Sequence, residues 1–283
     1  MPACERVQAL NEWPDDPAVV TELLRRADLH VLGALREASN LALLVRVGDD
    51  ADGDGPLAIY KPISGERPLW DFPDGSLAAR EVAARLVNEV GGWDVVPETV
   101  LRDGPQGPGS VQRWVGDPEV APEHPVDVVA EGEVPPGWLP VLRGEDQLGR
   151  PVIVLHEDSP AARSVAVFDA VINNSDRKGS HLVRVGDGRL RGFDHGVSLH
   201  EEDKLRTVLW GFAGEPIAPD ELARVERVLA AVSDGTSSLR TELDELLTPA
   251  ELAALEARCR ALVDSAAYPV PSGDWPSIPW PPL

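Results

Sequence analysis

Asn173-Asn174-Ser175-Asp176-Arg177-Lys178-Gly179-Ser180-His181, followed after a short interval by Phe193-Asp194-His195-Gly196, is the stretch on which the reading of this chain turns. The first cluster is the densest polar run in the sequence. It follows an apolar segment, Ser159 to Asn173, with helical spacing, and it precedes a strand-like run from Leu182 to Val185. A glycine-containing turn and a second strand ending at Phe193 complete a hairpin. Asp176 and Asp194 therefore stand at two neighbouring strand ends, where their carboxylates can converge. Phosphoryl transfer uses such a pair: one carboxylate accepts or orients the attacking hydroxyl, and the other holds a divalent metal against phosphate oxygens. Asn-Asn-Ser-Asp and Asp-His-Gly are each ordinary turn chemistry when read singly. The pair at hairpin spacing, downstream of a strand-borne lysine, carries the weight.

That lysine is Lys61, at the end of the strand-like run Leu57-Ala58-Ile59-Tyr60. A lysine so placed reaches the phosphates of a nucleotide held between two lobes. The helix that follows, Ser76 to Val90, has Ala78, Ala79, Val82, Ala83, Leu86, Val87 and Val90 on one stripe and is stopped by Gly91-Gly92. It offers Glu81 as a partner for Lys61, with Glu89 as the competitor. The turn Arg36–Asn40 is a candidate phosphate cover, through backbone N–H groups, the Ser39 hydroxyl and Asn40. It is not glycine-rich. There is no G-x-x-x-x-G-K-[ST], which excludes a P-loop nucleotidase. No G-x-S-x-G or H-E-x-x-H occurs either, and the six histidines are scattered.

Around these landmarks the pattern is β-rich first and α-rich afterwards. Leu29–Leu35, Leu41–Val47, Leu57–Lys61, Val95–Leu101 and Ser110–Val115 read as strands, after a helix over Pro17–Arg26. Gly116–Gly149, rich in Pro, Glu and Gly, reads as an irregular insertion. Pro151–Leu155 is strand-like, and Pro219–Ser233, Ser237–Leu247 and Pro249–Asp264 are helical in spacing. The expected fold is α+β and two-lobed, like a protein kinase, with a small β-rich N-terminal lobe over residues 1–115 and a mostly helical C-terminal lobe over 116–268. A Pro/Trp-rich tail, 269–283, packs back on the C-terminal lobe or binds a partner.

Composition sets limits. The chain has 283 residues, 43% hydrophobic, with a formal net charge of −22. Such a surface repels nucleic acid and anionic lipid headgroups. Residues 1–16 contain no apolar core of a signal peptide, and no run approaches the roughly 18 apolar residues of a membrane span. A cytoplasmic protein is expected. Cys4 and Cys259 have no metal-ligand spacing.

Asp176-Arg177-x-x-x-His181 with Asp194-His195-Gly196 resembles the catalytic and metal-binding motifs of the phosphatidylinositol 3-/4-kinase superfamily, in the form of the type II phosphatidylinositol 4-kinases. The chain is also similar to an uncharacterised actinobacterial kinase-like family. The segments that carry this are Ala58–Pro62 with Gly65–Pro73, Asp169–Lys178 and Leu205–Trp210, so the likeness runs from about Leu29 to Ile217. The resemblance implies ATP with Mg²⁺ or Mn²⁺. Asp176 would be the catalytic aspartate and Asp194 the principal metal ligand. Lys61 would sit on the phosphates with Glu81 behind it, and Ser110–Val115 would be the hinge, with Gln112, Arg113 or Trp114 bordering the base. One departure stands out: the family's second metal-ligating Asn, five residues after the catalytic Asp, is replaced by His181, a ligand better suited to Mn²⁺ than to Mg²⁺. The expected phosphate acceptor is a protein hydroxyl, the chain's own included. The alternatives are an inositol lipid or other small molecule, and a nucleotide-binding scaffold without turnover.

Overall fold

The computed structural model describes residues 11–35, 40–49, 55–72, 75–118, 120–273 and 276–283. Ser39, Pro73, Asp74 and Trp275 lie outside these described residues.

Helix α1 (Pro17–Arg26) is the first element among the described residues, capped by Asp16, whose side chain accepts from the Ala18 amide. Strands β1 (Leu29–Ala34), β2 (Leu43–Val47), β3 (Leu57–Pro62), β4 (Thr99–Gly104) and β5 (Gly107–Arg113) form one antiparallel sheet in the order β1-β2-β3-β5-β4. The alternation of buried Leu43, Val45 and Val47 along β2 shows the period-2 face that packs on α1 residues Val20 and Leu24. Tyr60, Val100 and Val111 close this smaller core.

Helix α2 (Leu77–Gly91) lies between the two halves. Its first N–H groups are satisfied three times over. Ser76 accepts from Ala79, and the Glu66 carboxylate accepts from Leu77 at 3.0 Å and Ala78 at 2.8 Å. Gly92 ends it at φ 75°, a left-handed position that suits glycine. Its inner face, Ala83, Ala84 and Val87, joins the larger core together with helix α3 (Pro160–Ile172) and helices α4 (Pro219–Ser233), α5 (Ser238–Asp244) and α6 (Pro249–Ser265). The architecture is thus α+β, a sheet-rich first half and a helical second half. No helix among the described residues is long and apolar enough to cross a membrane.

Three expectations need correction. Gly116–Gly149 is not irregular: β6 (Val126–Ala130) and β7 (Trp138–Glu145) flank β8 (Pro151–Glu157) in a three-stranded antiparallel sheet. Its Pro135-Pro136-Gly137 run makes the turn, and Pro140 sits on an edge strand at a register shift, where a missing N–H is tolerated. Averaged composition hid the strands between such residues. The strand expected from Val95 starts only at Thr99, because the Asn88 side chain takes the Val95 and Val96 amides and Pro97 has none to give. The helix expected to Leu247 stops at Asp244, just before Thr248 caps α6 with a reciprocal bond to Glu251.

Candidate active site

Lys61 is the last residue but one of β3, and its ammonium lies between two carboxylates. It donates to Glu81 Oε1 at 2.6 Å and to Asp194 Oδ1 at 2.8 Å. Glu81 is on α2 and nearly sealed, with 3% of its side chain exposed, while the Asp194 side chain is 53% exposed. Glu89, the competitor, pairs with Arg85 on the outer face of the same helix. Three parts of the chain far apart in sequence therefore meet at one nitrogen. Burial alone would pull the Lys61 ammonium down, but Asp194 and Glu81 outweigh it and hold it above its ordinary value. The Lys61 charge in turn keeps Asp194 well below the usual carboxylate range against the opposing effect of burial.

Asp194 follows β10 (Leu190–Gly192), which pairs with β9 (Leu182–Arg184) in the expected hairpin. Its backbone is left-handed, φ 59°, a conformation Asp tolerates better than most residues. Asp176 lies on the loop that leaves α3. Ser159 caps that helix and Asn173, at φ 53°, ends it. The Asn174 side chain accepts from the Asp176 amide at 3.0 Å, an Asx turn that sets the direction of the loop. Lys178 sits 3.1 Å from Asp176 Oδ2. Burial raises the Asp176 carboxyl, Lys178 offsets part of the rise, and the nearby charge of Asp194 adds to it. The two aspartates are thus electrostatic neighbours with opposite tendencies, one favouring the proton and the other refusing it.

Behind them lies a network that sequence reading missed. Arg177 is fully buried, and its guanidinium forks onto Asp169 at 2.8–3.1 Å. It also donates to the Phe193 carbonyl at 3.1 Å and to His195 Nε2 at 2.7 Å. Because Nε2 accepts, the His195 proton resides on Nδ1, which faces Glu81 Oε2 at 3.8 Å. Burial and the Arg177 charge hold this imidazole neutral. The His195 amide donates to the same Glu81 oxygen at 3.0 Å. One chain of contacts therefore runs from Asp169 on α3 through Arg177 and His195 to Glu81 and Lys61, and it braces both carboxylate loops. A signal existed: Asp169 is an acid on an otherwise apolar buried helix, which demands a cationic partner.

His181 lies with Nε2 3.6 Å from Asp194 Oδ2. Burial pushes its imidazole down to about 4, so it is neutral at neutral pH and has a lone pair for a metal. Among the described residues no group of three or more His, Cys, Asp or Glu forms a metal cage. An Asp and a neutral His supply only part of a coordination shell, which suits a cation that takes its remaining ligands from phosphate oxygens and water.

The residues expected to border the base differ among themselves. Gln112 donates to Thr99 Oγ1 at 2.8 Å and is buried against β4. Arg113 pairs with Glu98 at 3.4 Å and covers the Trp13 ring. Trp114 is half-buried, and its Nε1 donates to no group among the described residues. Asn40 accepts from the Arg67 amide at 2.9 Å, which ties it to the Gly65–Phe72 segment. Phe72 anchors that segment, buried beside Arg80 and His200, while Trp70 is 82% exposed.

The chain has the shape of the Golgi casein kinase. The superposition has a TM-score of 0.57 at 13% identity and covers 94% of this chain and 79% of the kinase. A second structure of that kinase, with Mn and ADP bound, gives a TM-score of 0.56 at 13% identity, over 91% and 77% of the two chains. At such identity the likeness is one of fold, and the fold is that of a two-lobed kinase. No family model matches the sequence. Protein Rv2133c of Mycobacterium tuberculosis is 44% identical over 286 aligned residues, 96% of this chain and 97% of that protein, and the chain belongs to its family.

Proposed function

We propose that this chain is an ATP-dependent phosphotransferase, an atypical kinase of the phosphatidylinositol 3-/4-kinase-like type that works with Mg²⁺ or Mn²⁺. The observation that supports it most is Lys61 bridging Glu81 and Asp194, with Asp176 near enough to feel the Asp194 charge. ATP supplies the transferable phosphoryl group, and the divalent ion neutralises its phosphates. Lys61 stays protonated and binds phosphate, and Glu81 keeps its ammonium in place. Asp194, ionised throughout, and neutral His181 hold the cation. Asp176, with its carboxyl raised, takes the proton of the attacking hydroxyl. Trp114 and the chain leaving β5 border the base, near the lobe boundary at about residue 115, and the residue 36–40 turn, with Ser39 and Asn40, covers the phosphates. The Golgi casein kinase structure with Mn and ADP supports a nucleotide between the lobes. A protein hydroxyl is the acceptor favoured here. The net charge of −22 opposes docking on an anionic membrane.

Calorimetric titration of ATP with Mg²⁺ and with Mn²⁺, on the parent and on Asp194→Ala, tests this reading. Metal-dependent binding in the parent that disappears in the variant is expected. Absence of binding with either metal overturns the proposal. Mn²⁺ is expected to outperform Mg²⁺, and His181→Asn to narrow the gap.

A further inference from the structure

The last residues of the chain end on the loop that carries Asp176. That loop, 173–181, lies beside the segment Arg206–Val208: the Arg177 amide donates to the Arg206 carbonyl at 3.0 Å, and the Val208 amide to the Arg177 carbonyl at 3.1 Å. The tail forms the next layer. The Ser277 carbonyl accepts from the Thr207 amide at 3.1 Å and from the Trp210 indole at 2.7 Å. The tail then continues past the Arg206–Val208 layer to the loop itself, where the Pro282 carbonyl accepts from the Gly179 amide at 2.8 Å. Gly179 is buried, and a Cβ built on it would stand 2.6 Å from Leu283 Cδ2 and 2.9 Å from Val126 Cβ. The glycine is there because the tail on one side and β6 on the other leave no room for a side chain. Gly179 is three positions from Asp176 and two from His181, the residues given proton-accepting and metal-binding roles above.

We propose that Pro282 and Leu283 are positioning residues: the tail clamps Gly179 and so sets where Asp176 and His181 stand. This deepens the phosphotransfer reading and rests on it for its catalytic part. The clamp touches neither Lys61 nor the chain leaving β5, so its loss should act on turnover more than on affinity, which changes only through the His181 share of the cation's ligands. Misplacing a catalytic group by about an ångström can lower turnover on the order of a hundredfold.

The experiment compares the full chain with a chain ending at Ile278, which keeps the Ser277 bonds, and with Leu283→Ala and Leu283→Met. ATP with Mn²⁺ is the probe. Its affinity is read by calorimetry, its turnover by phosphate release and transfer to casein, and amide exchange at Gly179 by mass spectrometry. The shortened chain should show faster exchange over 177–181, turnover reduced about tenfold or more, and affinity for ATP with Mn²⁺ reduced by a smaller factor than turnover. Leu283→Met should restore most of what Leu283→Ala loses. Unchanged exchange in the shortened chain overturns the clamp, whether or not the parent turns over ATP. Faster exchange with unchanged turnover overturns the positioning role. Affinity and turnover falling together with the melting temperature mean general loosening of the fold, which also overturns it. A parent that binds nucleotide but never turns it over overturns the phosphotransfer reading and this catalytic role with it, while the exchange result still decides the clamp.

Discussion

The front and the back of the site are both held by ion pairs, and the two pairs are of opposite kinds. At the front, Lys61 meets Asp194 where the aspartate side chain is 53% exposed. At the back, Arg177 meets Asp169 with both side chains wholly sealed. An open pair is screened by water and contributes little to stability, but it exchanges partners easily, which suits the roles proposed for Lys61 and Asp194 toward phosphates and a cation. A sealed pair contributes little net stability compared with apolar packing, yet removing one member leaves an uncompensated charge in the core. On the proposed reading, the front serves the chemistry and the back holds position.

The largest effect expected from this contrast is on the back. Asp169→Ala leaves the buried Arg177 guanidinium with only the Phe193 carbonyl and the His195 ring among the partners described above. It should cost about 3–5 kcal/mol of stability, read as a lower urea midpoint with unchanged slope. A loss below about 1 kcal/mol would mean that the back pair is no more structural than the front one. Lys61→Ala is the counterpart. It should lower turnover about 10²–10³-fold, as loss of a positioned electrostatic donor does, while its urea midpoint falls less than that of Asp169→Ala.

His195 joins front to back, so its replacement sharpens the comparison further. His195→Phe keeps a ring against Phe168, which lies edge-on at 5.7 Å. It removes one of the two acceptors of Arg177 Nη2, the other being Asp169 Oδ1, but leaves the backbone bond to Glu81 in place. The expected cost is about 1–3 kcal/mol, that of one buried donor without its partner. A cost equal to that of Asp169→Ala would show that Arg177 depends on both acceptors alike.

How much of this was legible follows from what kind of signal each part leaves. Lys61, Asp176 and Asp194 could be singled out as candidates because each stands at or a few residues past the end of a regular element: β3, α3 and β10. Ser159-Pro160 and Asn173 marked both ends of α3, since a hydroxyl cap, a proline at N1 and a left-handed Asn are local chemistry. The Asp169–Arg177–His195 network was not read, because its bonds link residues 8 and 18 positions apart and neither separation is a helical or strand period. The β6–β8 sheet was missed for another reason. Its third strand was expected from Pro151–Leu155, but the other two, of 5 and 8 residues, are flanked by Pro, Gly and Glu, so window composition reported the turns. The tail's hold on Gly179 depends on residues more than a hundred positions apart and leaves no local pattern at all.

The smallest effect expected concerns the two helices that deliver the front and the back. Each is capped by a serine. Ser76 accepts from Ala79 on α2, which carries Glu81, and Ser159 accepts from Ala162 on α3, which carries Asp169. The surroundings differ. On α2 the Glu66 carboxylate already takes two further amides, and a carboxylate at a helix N-terminus is favoured by the dipole. On α3 the first position is Pro160, with no amide to satisfy, so Ser159 holds Ala162 without such help. Cap removal costs about 0.5–2 kcal/mol. Ser159→Ala should fall in the upper half of that range and Ser76→Ala in the lower half. Equal losses in chemical denaturation would mean that Glu66 adds nothing at the front. A larger loss for Ser76→Ala would mean that the cap orders the whole Glu66–Ser76 connection, so that the front, like the back, is held by groups that never reach the reacting atoms.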